Sequence, residues 1–212
     1  LYTPTHLPLL PMKRLPVSKE ALDEAVRILR EGGTVVHATE TCYGLACDLT
    51  NPDAVLKLFT IKDRPHEQPV SALFASVDEA KKYVQWHHRA EDLAVKFLPG
   101  AMTMILSIRD DAPAKIYVTP SGGRTVGVRV SSHATADALA IAFGKPLSTT
   151  SANPHGDSNP YNPDYIMMSF NNAAAKPDLL LDSGILPMNP PSTVINLATG
   201  EEGVVRTGKV KI

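Results

Sequence analysis

Along most of its length the chain alternates two patterns. Short runs of β-branched and apolar residues are followed by longer stretches with apolar residues at helical spacing. Strands and helices bury different periodicities, so this alternation requires a layered α/β domain. Ser18 reads as an N-cap, with Leu22, Ala25, Val26 and Leu29 at helical spacing behind it and Gly32-Gly33 as the stop. Residues 34–37 follow as a buried strand and residues 38–48 as a loop. Asn51-Pro52 is a cap with proline at the first helical position, where a missing N–H costs nothing. Val55, Leu58 and Phe59 give that helix its apolar face.

Further strands are expected at 70–74, 102–108, 125–130 and 147–150, and helices at 76–83, 89–97 and 133–143. Ser76 and Glu79 form a capping box for the first of these helices. A loop rich in Asn, Gly and Pro covers 151–163. The last strands, at 179–182, 193–197 and 204–206, have no helix between them, which predicts a mixed sheet. Residues 1–17 are proline-rich and read as an extended arm, and residues 18–212 read as one domain.

Composition narrows the function. Lys plus Arg total 21 and Asp plus Glu 22, for a net charge of −1. A bulk nucleic-acid binder carries a basic excess, so any RNA contact is expected to be weak and local. Two cysteines, Cys42 and Cys47, are too few for a disulfide framework or a structural zinc site. There is no apolar run long enough to span a membrane and no signal-type segment at the N-terminus, so a cytoplasmic protein is expected.

Three polar segments fall at strand or helix ends, where open α/β sheets bind ligands. They are residues 39–44, 62–65 and 151–153. Neither a Walker A loop nor a G-x-G-x-x-G fingerprint is present, so side chains would have to replace a glycine cradle. Lys62 and Arg64 suit a polyphosphate, one as a point charge and one as a fork, and equally suit a helix C-terminus. Ser151 and Asn153 could bond phosphate or ribose, or simply form a turn. Thr39 and Thr41 share one side of an extended segment. His66, His133 and His155 have no partner at triad or zincin spacing and read as solvated or capping residues. Tyr161, Tyr165 and Phe170 read as packing residues.

The strings GGTVVHATETCYGLACDL, KDRP, LPGAMTMIL, TVGVRVSSHATADAL, STTSAN, PSTVINL and VVRTG, in this order, resemble the YrdC/TsaC family of threonylcarbamoyl-AMP synthases. The K-x-R and S-x-N pairs, the most specific mark, are intact as Lys62/Arg64 and Ser151/Asn153. The resemblance implies a single-domain, twisted, mixed β-sheet flanked by helices, with a concave basic cleft. It implies L-threonine, bicarbonate and ATP as substrates, Mg²⁺ held mainly through ATP, and threonylcarbamoyl-AMP and pyrophosphate as products. It also implies a downstream partner, the tRNA-threonylcarbamoyl transferase machinery. Carried over by position, Arg64, Gln68, Thr125, Ser151, Asn159 and Arg206 would contact ATP. Lys62 and Asn153 would face the same cleft, and Thr41, Arg129, Thr149 and Ser192 would hold threonine. The chain departs from the family pattern at His37-Ala38, where Tyr-Pro is usual, and at Leu73, where many members carry a threonine-contacting histidine. Related domains without synthase activity act as RNA-binding or accessory proteins, and a similar domain sits inside hydrogenase-maturation carbamoyltransferases. Intact signature pairs favour the synthase over the first, and the lack of zinc-finger-like modules disfavours the second.

Overall fold

Side-chain caps start most of the helices in this structure, a computed structural model that describes residues 11–198 and 202–212. After strand β1 (Lys13–Pro16), Ser18 Oγ accepts from Ala21 N at 3.1 Å and starts α1 (Lys19–Arg30). Strands β2 (Val35–Ala38) and β3 (Tyr43–Ala46) come next. Asn51 Oδ1 then accepts from Asp53 N and Ala54 N and opens α2 (Pro52–Lys62). Strand β4 (Ala72–Leu73) precedes α3 (Val77–Lys81), capped by Ser76, and α4 (His88–Phe97). Strands β5 (Met102–Ser107) and β6 (Thr125–Arg129) form an antiparallel pair. His133 Nδ1 accepts from Thr135 N at 3.2 Å to cap α5 (Ala134–Phe143), a capping role of the kind expected for it. Then come β7 (Leu147–Ser148), β8 (Thr150–Ser151), α6 (Pro163–Ser169), β9 (Leu179–Asp182), β10 (Thr193–Asn196) and β11 (Gly203–Arg206).

The strands divide into two sheets, in the orders β1-β9-β2-β3-β8 and β11-β10-β5-β6-β4-β7. Both are mixed, as the run of helix-free C-terminal strands predicts. β9 runs parallel to β1 and β2, while β3 is antiparallel to β2 and β8. In the second sheet β10 is parallel to β5 and β4 to β6, while β5–β6, β10–β11 and β4–β7 are antiparallel. One core cluster takes side chains from both sheets, including Val36 and Leu45 from the first and Met104 and Val128 from the second. A second cluster lies under α1 and α5, where Ala25, Leu29, Leu139 and Phe143 cover Val35, Leu179 and Leu181.

Three local readings change. Within the stretch expected as an arm, β1 is an edge strand of the first sheet; residues 1–10 lie outside the described residues. The 38–48 loop contains β3, and the 151–163 loop runs into α6. Among the described residues no helix is long and apolar enough to cross a membrane.

Candidate active site

A cavity of about 350 Å³ opens where residues 39–42 and the start of β3, the segment after α2, the face of β5–β6 and the β7–β8 segment come together. That volume suits a small-molecule ligand. Its wall carries Arg64, Arg129 and Arg206 and many hydroxyls, and among the described residues no carboxylate. Gly127 makes the floor possible. A Cβ there would lie 2.6 Å from Ser71 Oγ and 2.8 Å from Thr103 Cγ2, closer than side chains pack.

The two signature pairs meet physically, but their members point different ways. α2 ends at Lys62, and Asp63 turns the chain with a left-handed φ of 48°. Lys62 therefore points inward and Arg64 into the cavity. Lys62 is 1% exposed, and its Nζ donates to the carbonyls of Ser151 and Asn153 at 2.5 and 2.6 Å and to Asn153 Oδ1 at 3.2 Å. Asn153 Oδ1 also accepts from Ser151 Oγ at 2.6 Å, and Asn153 Nδ2 donates to the carbonyls of Asp157 and Ser158. Burial, with Arg64 nearby, brings the Lys62 ammonium down to about 7. Arg64 is fixed in its wall position by bonds to the Gln68 and Pro69 carbonyls, at 2.9 and 3.0 Å.

Opposite this corner stands Arg129, at the end of β6 and 7% exposed. One of its terminal nitrogens donates to Glu40 Oε1, and its Nε has no partner. Glu40 Oε2 accepts from the Ser131 hydroxyl and, at 3.2 Å, from Ser132 N. Burial raises the Glu40 carboxyl, but Arg129 and Ser131 outweigh this and hold it below its ordinary value. Thr41 is positioned by Thr39, whose Oγ1 lies 3.0 Å from Thr41 Oγ1 and donates to the Cys42 carbonyl at 2.7 Å. Arg206 reaches from β11 to the Ser192 carbonyl and hydroxyl at 3.0–3.1 Å, and Ser192 Oγ lies 2.8 Å from Thr103 Oγ1. Burial and the charge of Arg129 both act to lower the Arg206 guanidinium.

The structure thus gathers nearly all the sequence-derived candidates. Arg64, Thr125, Ser151, Asn159 and Arg206 line the cavity, as do Thr41, Arg129, Thr149 and Ser192. Lys62, Asn153 and Gln68 do not. Lys62, expected beside phosphates, is bonded instead to the loop that carries Ser151. Gln68 is exposed, and its carbonyl rather than its side chain supports Arg64. Leu73 is buried in the cluster under α5. Ser71, Thr103 and Gly127 were missed, and Glu40 was included in the 39–44 segment without being singled out. Thr103 left a trace, a hydroxyl alternating with apolar neighbours in a buried strand. Ser71 and Gly127 left none.

Comparison with known proteins shows the family. The Sua5/YciO/YrdC family model, described as telomere recombination, matches residues 27–208. A threonylcarbamoyl-AMP synthase of Vibrio cholerae is 34% identical over 159 residues, 74% of this chain and 83% of that protein. One of Bacillus subtilis is 30% identical over 197 residues, 92% of this chain and 56% of that protein. Among solved structures, P. abyssi Sua5 complexed with L-threonine superposes with a TM-score of 0.81 at 29% identity, covering 93% of this chain and 57% of that one. E. coli YciO gives 0.79 at 26%, covering 95% and 96%. The chain therefore spans little more than half of the longer relatives. With most of its length matched by the family model, the chain belongs to the Sua5/YciO/YrdC family.

Proposed function

We propose that this chain is an L-threonylcarbamoyladenylate synthase, a nucleotidyltransferase that joins threonine, bicarbonate and ATP for tRNA modification. The observation that carries the reading is a cavity whose wall holds three arginines and no carboxylate among the described residues, beside an intact K-x-R and S-x-N network. Such a wall favours a polyanion next to a small carboxylate ligand.

The neutral amine of threonine bonds to the carbon of bicarbonate, a C–O bond breaks and water leaves, and N-carboxy-threonine results. Its carboxylate oxygen bonds to the α-phosphorus of ATP, the bond from that phosphorus to the bridging oxygen breaks, and pyrophosphate leaves. No side-chain nucleophile takes part, so the protein acts through position and charge. Arg64 and Arg206 neutralise the phosphates. Arg129 receives the threonine carboxylate at its free Nε while Glu40 keeps hold of its far end. Thr41, Thr149 and Ser192 supply hydroxyls sized for a small polar amino acid, and Thr125, Ser151 and Asn159 face the nucleotide. Lys62 and Asn153 act on substrate indirectly, by fixing the Ser151 segment.

Among the described residues no three His, Cys, Asp or Glu side chains gather as a metal set. Mg²⁺ would enter with ATP and supply further charge neutralisation at the phosphates. The product passes to a transferase that modifies tRNA, and with a net charge of −1 this chain makes weak RNA contact at most. Pyrophosphate release, measured with each substrate left out in turn, tests the reading. It should need ATP, threonine and bicarbonate together, and release indifferent to threonine would refute it.

A further inference from the structure

Among the described residues, two buried side-chain atoms lack a hydrogen-bond partner, Arg129 Nε and His37 Nε2. Buried polar atoms are ordinarily paired, and an unpaired one marks a place where something else binds or where function imposes a cost. Arg129 lines the cavity. His37, 0% exposed, stands directly behind its wall. It pairs with Gly44 across β2 and β3, so the imidazole and the empty side-chain position of Gly44 share one face of the sheet. A Cβ built on Gly44 would lie 3.3 Å from His37 Nε2 and 3.5 Å from Thr149 Oγ1. Gly44 and Thr149 both line the cavity. The missing side chain of Gly44 therefore leaves a slot between the imidazole and the Thr149 hydroxyl.

The tautomer follows from the other ring nitrogen. Nδ1 lies 3.3 Å from the Ala38 carbonyl, an acceptor, so Nδ1 carries the hydrogen and Nε2 keeps a lone pair. The ring is neutral at physiological pH, since burial, together with His133 and Arg129 nearby, pulls it down to about 4. Nε2 thus asks for a donor, and the Thr149 hydroxyl stands across the slot without bonding it in this structure.

We propose that His37 is a positioning residue for the amino-acid substrate: when threonine binds, the Thr149 side chain turns so that its hydroxyl donates to the open Nε2, which aims the Thr149 lone pairs toward the side-chain hydroxyl of threonine. This deepens the synthase reading and rests on it. The amino nitrogen of threonine changes during the reaction from ammonium to carbamate, whereas the hydroxyl is unchanged and can be held throughout. A site built to bond a hydroxyl discriminates against the isostere that lacks one, because its own polar groups are then left unpaired. The isostere here is valine.

The test is a calorimetric titration of the protein with L-threonine and L-valine, for the native chain, His37→Phe and His37→Gln. The native chain should prefer threonine. His37→Phe should lose about tenfold in threonine affinity with valine affinity unchanged. His37→Gln, which places an acceptor near the position of Nε2, should restore the preference. An unaltered threonine-to-valine ratio in His37→Phe would overturn the assignment. Should that variant not fold, imidazole ¹⁵N spectra of the native protein decide. The Nε2 resonance should move on saturation with threonine and not with valine, and a resonance that stays put under both overturns the proposal. Native protein that binds neither amino acid would overturn the synthase reading and the His37 role with it, whereas native binding without dependence on His37 overturns the second alone.

Discussion

Lys62 holds Asn153 at two atoms, donating to its main-chain carbonyl at 2.6 Å and to its Oδ1 at 3.2 Å. The end of α2, just beyond which Arg64 enters the cavity, is thereby fastened to the loop that supplies Ser151. The K-x-R and S-x-N pairs work as a unit whose inner half is structural and whose outer half faces the ligand. Lys62→Met should therefore raise the ATP requirement about tenfold or more, by taking the ammonium donor away from three carbonyl-type acceptors that tie α2 to the Ser151 segment. Hydrogen exchange at Asn153 and His155 should speed up in the same variant. Retained exchange protection with lost ATP affinity would mean that Lys62 touches the nucleotide itself.

Arg64 has the opposite character. It is half buried, and it donates to the Gln68 and Pro69 carbonyls, which leave its charge uncompensated. Arg64→Ala should cost about 1.5–3 kcal/mol of charge-assisted contact with phosphate. Turnover should fall about tenfold to a hundredfold while the far-UV circular dichroism is unchanged. Native rates in this variant would remove Arg64 from the site.

Arg129 must keep a fork, with one arm on Glu40 and Nε free. Lysine has no second arm, so Arg129→Lys should raise the threonine KM about tenfold and leave the ATP KM nearly unaltered. Equal shifts in both would place Arg129 on the nucleotide instead.

Glu40 makes stability depend on acid. Its carboxyl sits below the ordinary 4.5, because Arg129, Ser131 and the Ser132 N–H outweigh the burial that would raise it. The folded protein holds this proton less tightly than the unfolded chain, so the contribution is complete well above 4.5 and is lost as the pH falls below 4.5 through the folded value. Glu40→Ala should destabilise by about 3 kcal/mol at neutral pH, since it leaves Arg129 buried without its partner. Denaturant melts at several pH values should show a shallower acid-side loss in the variant than in the native chain.

Gly127→Ala tests the floor of the cavity. The added methyl meets Ser71 Oγ at 2.6 Å and Thr103 Cγ2 at 2.8 Å, and the segment before β4 or β5 itself would have to give. A destabilisation of about 1–3 kcal/mol is expected, with weaker binding of both substrates. A variant with native stability would show that the floor yields freely.

Local signals made much of the fold legible before any coordinates. The caps at Ser18, Asn51 and Ser76 and the periodicities behind them correspond to α1, α2 and α3. Asn162-Pro163 carries the same cap-plus-proline signal as Asn51-Pro52, and α6 was readable from it, but it lay hidden in a stretch of turn formers. β1 was not readable: its four residues are mostly exposed and bounded by proline, and only parallel pairing with β9, far along the chain, makes them a strand. The division into two sheets is likewise set by non-local pairing. At the site, the candidate residue types were visible, but the direction of Lys62 was not, because it depends on the left-handed turn at Asp63. The value of His37 depends on an absence, the side chain Gly44 does not have.

The central claim is tested most directly by supplying ¹³C-bicarbonate, ¹⁵N-threonine, ATP and Mg²⁺ to the purified protein and analysing the products by mass spectrometry. The account predicts one adenylate that carries both labels, formed in step with pyrophosphate. An adenylate carrying ¹⁵N without ¹³C, or pyrophosphate without any labelled adenylate, would contradict it.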